Sequence, residues 1–142
     1  MVVQPIDPVC TARASATGGR QSHVASSDGM LDLKLKTPGS DADPAATNPE
    51  QLFAAGYAAC FQSALMTVAR LADKDASGST VDCKVSLGKD SSGLFGLAVV
   101  QTVSIPEMDH EAVQELTEAA HQRCPCSRAT RGNIDVQVGA AD

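Results

Sequence analysis

The chain of 142 residues carries five cysteines, at positions 10, 60, 83, 124 and 126. A thiol is a nucleophile, a redox centre or a metal ligand only as its surroundings allow. An odd count argues against a fully paired structural set, and in a reducing compartment such thiols are buried, metal-bound or redox-active. Cys60 falls in an Ala-rich stretch, on one helical side with Phe53, Gly56, Tyr57 and Ala64. It reads either as a packed free cysteine or as a working thiol. The second reading needs a cation from elsewhere in the fold, because a mid-helix position gains nothing from the helix N-terminus. Cys124 and Cys126 flank Pro125, and with His121 they offer three possible metal ligands. Structural zinc takes four nitrogen or sulfur ligands, and the usual second cysteine pair is missing. Neither a resident metal nor a cofactor is expected. Cys10 and Cys83 fall in expected strands and read as packed. Arg20 follows Gly18-Gly19, a turn that either aims its guanidinium inward or leaves it solvated, and Glu50 suits the first turn of a helix.

The elements that must position these residues follow from pattern. Residues 10–17 and 20–26 predict two short strands with Gly18-Gly19 as their turn. After a turn at Ser27-Asp28-Gly29, Leu31, Leu33 and Leu35 alternate with Asp32, Lys34 and Lys36, the period of a half-buried strand. Residues 37–47 form a polar loop that ends in a helix start, with Asn48 as N-cap and Pro49 at the first helical position. The helix then runs to about Ala72. It has so few charges before Arg70 that it should be buried nearly all round, and at ~36 Å it is long for a chain this size. Val81, Cys83, Val85 and Leu87 alternate with polar residues, and a turn at 89–93 leads to a strand at about 94–104. Asp109 caps a second helix whose apolar stripe is Val113, Leu116 and Ala120. Pro125 ends it near Cys124. A short turn through 127–132 leads to a last strand at 134–138. The order is βββ-α-ββ-α-β, an α+β domain over 1–142.

Composition narrows the function. Seventeen acidic against eleven basic residues give a net charge of −6, with no Lys/Arg cluster to neutralise phosphates, so nucleic acid is not an expected partner. A basic membrane patch is missing for the same reason, and no apolar run approaches the roughly 20 residues expected of a membrane span. The first eight residues lack the charged and apolar regions of a signal peptide, so a cytoplasmic protein is expected. Aromatics make up only 3% of residues against 43% hydrophobic. The core must then be aliphatic and Ala-rich, and a partner subunit is expected to complete it.

Three stretches carry a resemblance: Gly18-Gly19-Arg20, the run NPEQLFAAGYAACF from Asn48 to Phe61, and Cys124-Pro125 followed by Ala129-Thr130-Arg131-Gly132-Asn133-Ile134-Asp135-Val136. Together they closely resemble the organic hydroperoxide resistance (Ohr) branch of the OsmC/Ohr superfamily, over about residues 9–138. The resemblance implies an intertwined homodimer, with antiparallel sheets packed around long central helices and two active sites at the interface. It implies a bacterial thiol peroxidase that prefers organic hydroperoxides and is re-reduced by dihydrolipoyl groups on lipoylated proteins or by another dithiol. Cys60 matches the peroxidatic cysteine, Cys124 the resolving cysteine, Arg20 the arginine that stabilises the thiolate, and Glu50 the carboxylate that orients it. Phe53, Tyr57 and Phe61 offer apolar surface for an alkyl group, or simply core. Where the family usually places an aromatic after Cys-Pro, this chain has Cys126, a competitor for the resolving role.

Glu50 and Cys60 are ten residues apart, about 15 Å along a straight helix. The expectation is therefore that each site takes Arg20 and Glu50 from one subunit and Cys60 and Cys124 from the other. A kink at Gly56 is the one alternative.

Overall fold

A computed structural model of the chain describes residues 2–39 and 43–142. Met1, and residues 40–42 of the loop expected over 37–47, lie outside the described residues. The fold is mixed α+β, in two compact units, 1–49 and 50–142.

The first unit is a three-stranded antiparallel meander of β1 (Ala14–Thr17), β2 (His23–Ser26) and β3 (Asp32–Lys34). Its strands are shorter than the sequence pattern suggests, because Gly18-Gly19 leads into a 3-10 turn over Gly19–Gln21 rather than directly into β2. Gly18 has φ 71°, and a Cβ there would lie 2.4 Å from the Ser22 Cβ, so this turn requires glycine. Arg20 is carried on the 3-10 turn and is exposed. Residues 10–12 lie outside β1: the register closes at Ala14↔Ser26, with one further hydrogen bond from the Ser27 N–H to the Arg13 carbonyl at 2.9 Å. Beyond β3, Leu35 makes a single parallel bridge to Thr47.

Helix α1 (Pro49–Leu71) starts at the last residue of the first unit and belongs otherwise to the second; it is unbroken through Gly56, with Pro49 first and Glu50 in its opening turn. Of the near-complete burial expected for this helix, with a partner subunit completing the core, the chain by itself supplies one face. Tyr57, Phe61, Ala64, Leu65, Val68 and Ala69 form one buried face, while Ala55, Gly56, Ala59, Ser63, Met66 and Arg70 are exposed on the chain by itself. A single chain of this length has one layer on which to lay the helix. By length and composition alone α1 could cross a membrane, more than the sequence reading allowed. Its buried face is that of a core helix.

Strands β4 (Thr80–Lys89) and β5 (Phe95–Ser104) form a long antiparallel hairpin in register from Thr80↔Ser104 to Lys89↔Phe95. Val99, Gln101 and Val103 of β5 face the core opposite Val85, Cys83 and Val81, so period-2 burial holds at this end. Leu87, expected to face inward with them, is exposed because the hairpin runs past the core. Next come α2 (His110–Arg123) and a short α3 (Pro125–Thr130) where a turn was expected. Pro125 stops one helix and starts the next, its missing N–H costing nothing at a first helical position. Asp109 caps α2 as expected, its carboxylate accepting from the Ala112 N–H at 2.7 Å.

The last strand, β6 (Asp135–Ala140), lies parallel to β5, with Ala98↔Asp135 to Val103↔Ala140 in register. The expectation of antiparallel sheets fails here. The crossover through α2 and α3 is long enough to return the chain in the same direction, which a tight turn cannot do. Gln114 of α2 accepts from the Ala140 N–H at 2.8 Å and fixes the helix to this edge. One core joins the inner faces of α1, β5 and α2. Phe61 and Leu65 are fully buried within it, each side chain contributing ~1.5–3 kcal/mol by removal from water.

Candidate active site

Two elements far apart in sequence bring the thiols together. Cys60 sits midway along α1 on the flank of its buried face and is half-buried. Cys124 ends α2 and begins α3. Its N–H donates to the Ala120 carbonyl at 2.8 Å, and its carbonyl accepts from the Arg128 N–H at 2.9 Å. That double anchoring fixes the Cα of a fully buried residue in an extended conformation between two helices. The Cys124 thiol points at the Cys60 sulfur, with Sγ to Sγ 3.6 Å across 64 residues of sequence. Cys126, in the first turn of α3, completes a group in which all three sulfurs lie within 4.8 Å of one another. All five cysteines are free thiols.

Burial dominates the electrostatics. It pushes the Cys124 thiol upward, and the neighbouring Cys60 sulfur pushes in the same direction. The Ser127 N–H and hydroxyl lie near enough to favour the Cys124 thiolate, although no capping hydrogen bond closes between the two residues. Cys126 is pushed up to about 12, by burial first and then by the two neighbouring sulfurs. It therefore stays protonated, and a protonated thiol is a poor nucleophile. Cys83, away from the cluster, is raised to about 11 by burial and then by Asp82.

Behind the thiols lies a buried hydroxyl network that holds α3 against α1. The Tyr57 and Ser127 hydroxyls share a 2.8 Å hydrogen bond, Tyr57 also meets the Thr130 hydroxyl at 3.2 Å, and Ser127 meets Nδ1 of His121 at 2.8 Å. The Arg131 guanidinium donates to the His121 carbonyl. Burial lowers the His121 pKa, with the Arg131 charge adding to it. Burial also raises the Tyr57 pKa against the pull of its two hydroxyl partners.

Of the residues expected at the site, Cys60 and Cys124 come together. Glu50 lies ten residues before Cys60 on an unbroken helix, about 15 Å along the axis. Tyr57 and Phe61 are core residues with about 1% and 0% of their surface exposed, and Phe53 is half-buried with its ring 5.8 Å from that of Tyr57. A cavity of about 420 Å³ opens beside Cys60, lined by Ser63, Ala64, Thr67, Arg123 and Pro125 rather than by the aromatics. The proposed ligand triple of His121, Cys124 and Cys126 does not gather. The third member of the thiol group is Cys60, and His121 is turned to Ser127.

Sequence reasoning missed the Tyr57–Ser127–His121–Thr130 network and the Arg123 edge of the cavity. One signal was present: Ser127 and Thr130 are three residues apart behind Pro125, which places both hydroxyls on one face of a helix that begins at that proline.

A family model described as "OsmC-like protein" matches residues 39–139. The organic hydroperoxide resistance protein OhrB of Bacillus subtilis (strain 168) is 47% identical over 130 residues, covering 90% of this chain and 95% of the relative. The organic hydroperoxide resistance protein of Xanthomonas axonopodis pv. citri (strain 306) is 46% identical over 145 residues, covering 99% of this chain and 100% of the relative. The crystal structure of OhrB of Bacillus subtilis superposes with a TM-score of 0.89 at 46% identity, covering 94% of this chain and 100% of that one.

Proposed function

The chain belongs to the OsmC-like protein family, and from that premise we propose that it is a thiol peroxidase that reduces organic hydroperoxides to alcohols. The observation that carries this reading is the 3.6 Å approach of the Cys60 and Cys124 sulfurs. The relatives' names supply the substrate class.

In this reading the Cys60 thiolate attacks one oxygen of the O–O bond. That bond breaks, the alkoxide leaves and takes a proton as the alcohol, and Cys60 becomes a sulfenic acid. The Cys124 thiol, already aimed at it, attacks the oxidised sulfur and releases water as a disulfide forms. An S–S bond is ~2.05 Å long, so the two sulfurs need to close by only about 1.5 Å. An external dithiol, a dihydrolipoyl group in this proposal, reopens the bridge by exchange. A cycle of this kind belongs in a reducing compartment, which fits a cytoplasmic protein.

Arg20 would stabilise the Cys60 thiolate and the negative charge that develops on the leaving oxygen, a charge it holds at any working pH. Glu50 would hold that guanidinium in a bidentate pose. The spacing of Glu50 and Cys60 on a straight helix supports a site shared by two subunits, Arg20 and Glu50 from one, Cys60 and Cys124 from the other. The small residues on the exposed face of α1, Gly56, Ala59 and Ser63, suit close packing of that dimer. Phe53, with ring surface still uncovered, is the aromatic best placed to meet an alkyl chain; Tyr57 and Phe61 would shape the site from behind.

Steady-state reduction of tert-butyl hydroperoxide by a lipoylated protein tests the activity, with hydrogen peroxide as the comparison. Turnover should favour the organic peroxide and vanish in Cys60→Ser. Full turnover in Cys60→Ser would end the proposal. Mixing Arg20→Met with Cys60→Ser subunits tests the shared site. Re-association should restore about a quarter of the wild-type sites, because half the dimers are mixed and each holds one complete site. No restoration places Arg20 and Cys60 of each site in one chain.

A further inference from the structure

The peroxidase reading uses two of the three clustered thiols. Cys126 stands outside it, yet its sulfur lies within 4.8 Å of both the others. Thiolates around one centre at ~2.3 Å with tetrahedral angles, as on zinc, are ~3.8 Å apart; a pyramidal centre with a lone pair draws them closer, and the Cys60 and Cys124 sulfurs are already at 3.6 Å. Small side-chain rotations of Cys126, at the start of a short helix, complete the triangle. The backbone on either side is held in place: α1 is continuous through Cys60, and Cys124 is hydrogen-bonded into both flanking helices.

We propose that Cys60, Cys124 and Cys126 form a three-thiol binding site for trivalent arsenic, which enters as arsenous acid. Three thiols condense with As(OH)3: three As–S bonds form, three As–O bonds break, and each hydroxide leaves as water with a thiol proton. No electrons are transferred, so the step needs no further reactant.

Charge and coordination number select this ligand class over a divalent metal. Three thiolates around Zn²⁺ carry a net negative charge, and Cys124 lies in a fully buried, apolar place where such a charge is expensive. The arsenic complex is neutral. Zinc also requires a fourth ligand, and among the described residues the cluster offers three groups, with His121 engaged by Ser127. Three-coordinate arsenic is complete with three sulfurs, and its lone pair can face the cavity beside Cys60, where Arg123 and Pro125 form the wall. That cavity also gives the small neutral acid a way in. Occupation of the site would tie up Cys60 and block any chemistry that depends on it. The binding itself does not depend on the peroxidase reading.

The test uses the full-length protein, reduced with a phosphine that is then removed so that no small dithiol competes. It is titrated with sodium arsenite by equilibrium dialysis and examined by X-ray absorption at the arsenic edge. One arsenic per chain with three sulfur neighbours and no oxygen is expected. In Cys126→Ser the first shell should fall to two sulfurs and one oxygen, and the affinity by about tenfold or more. Two sulfurs and one oxygen in the unaltered protein, or equal affinity and an unchanged shell in Cys126→Ser, would overturn the proposal. The measurement on the unaltered protein decides even if the variant folds poorly.

Discussion

Ser127 is fully buried, and its hydroxyl joins Tyr57 to His121, each at 2.8 Å. Ser127→Ala deletes that hydroxyl without removing any carbon, so the cavity left is small and the loss is almost entirely polar. Tyr57 keeps its longer contact to Thr130 at 3.2 Å, while His121, half-buried, can turn in part to water. Two hydrogen bonds at about 1 kcal/mol each give a loss of about 2 kcal/mol. For a chain of this length that corresponds to about 4–8 °C in Tm. Urea denaturation at fixed protein concentration, so that any dimer equilibrium is held constant, measures the change. A cycle with Tyr57→Phe isolates the shared bond, and because the two side chains touch, their effects should couple by at least ~0.5 kcal/mol. The Ser127 hydroxyl also favours the Cys124 thiolate, beside the larger effect of the N–H that alanine keeps, so disulfide formation in the alanine variant should slow modestly as stability falls. A loss below ~0.5 kcal/mol, or full additivity with Tyr57→Phe, would refute the claim that this network holds α3 and Cys124 in place.

Other expectations follow from the same structure. Asp109→Ala removes the cap on the Ala112 N–H and should cost about 1 kcal/mol in urea denaturation, without altering the Cys60–Cys124 pairing. The His121 pKa is lowered in the folded chain, so the unfolded chain binds that proton more readily. The stability linked to this group is therefore complete above pH ~6.5 and lost as pH falls through the lowered folded value; a His121→Gln variant should lose less stability than the parent over that window. Tyr57 is raised, and the sign reverses: its contribution is complete below pH ~10 and is lost as pH rises through the folded value. Tyr57→Phe should flatten that alkaline decline, and an unchanged pH profile in either variant would contradict the assignment.

What the sequence shows depends on how local its cause is. The start of α1 at Pro49, the Asp109 cap and the hairpin from Thr80 to Ser104 follow from caps and period-2 alternation, which act over a few residues. The parallel pairing of β6 was not legible, because strand direction depends on a crossover of about thirty residues rather than on the strand's own pattern. Nor was α3, where Pro125 both ends one helix and begins the next: the proline reads as an ending alone, with no N-cap residue of the usual kind before it to mark a start. The exposed face of α1 shows the limit of composition: an Ala- and Gly-rich helix is apolar all round, but what covers each side is decided by the layers available. At the site, the motif stretch marked Cys60 and Cys124. Cys126 stood out as well, as a thiol competing for the resolving role, whereas the Ser127 hydroxyl joined them only once α3 was folded, because its place depends on the helical phase set by Pro125.

The account rests most directly on the Cys60–Cys124 pair. Reduced protein treated with one equivalent of an organic hydroperoxide, acid-quenched and mapped by peptide mass spectrometry, reads that pair at once. A stoichiometric Cys60–Cys124 disulfide is predicted, with Cys126 still a free thiol, and Cys124→Ser should stop at a Cys60 sulfenic acid. A Cys60 that stays reduced beside intact peroxide, or a Cys60–Cys126 bridge in Cys124→Ser formed as fast as the native one, would contradict it.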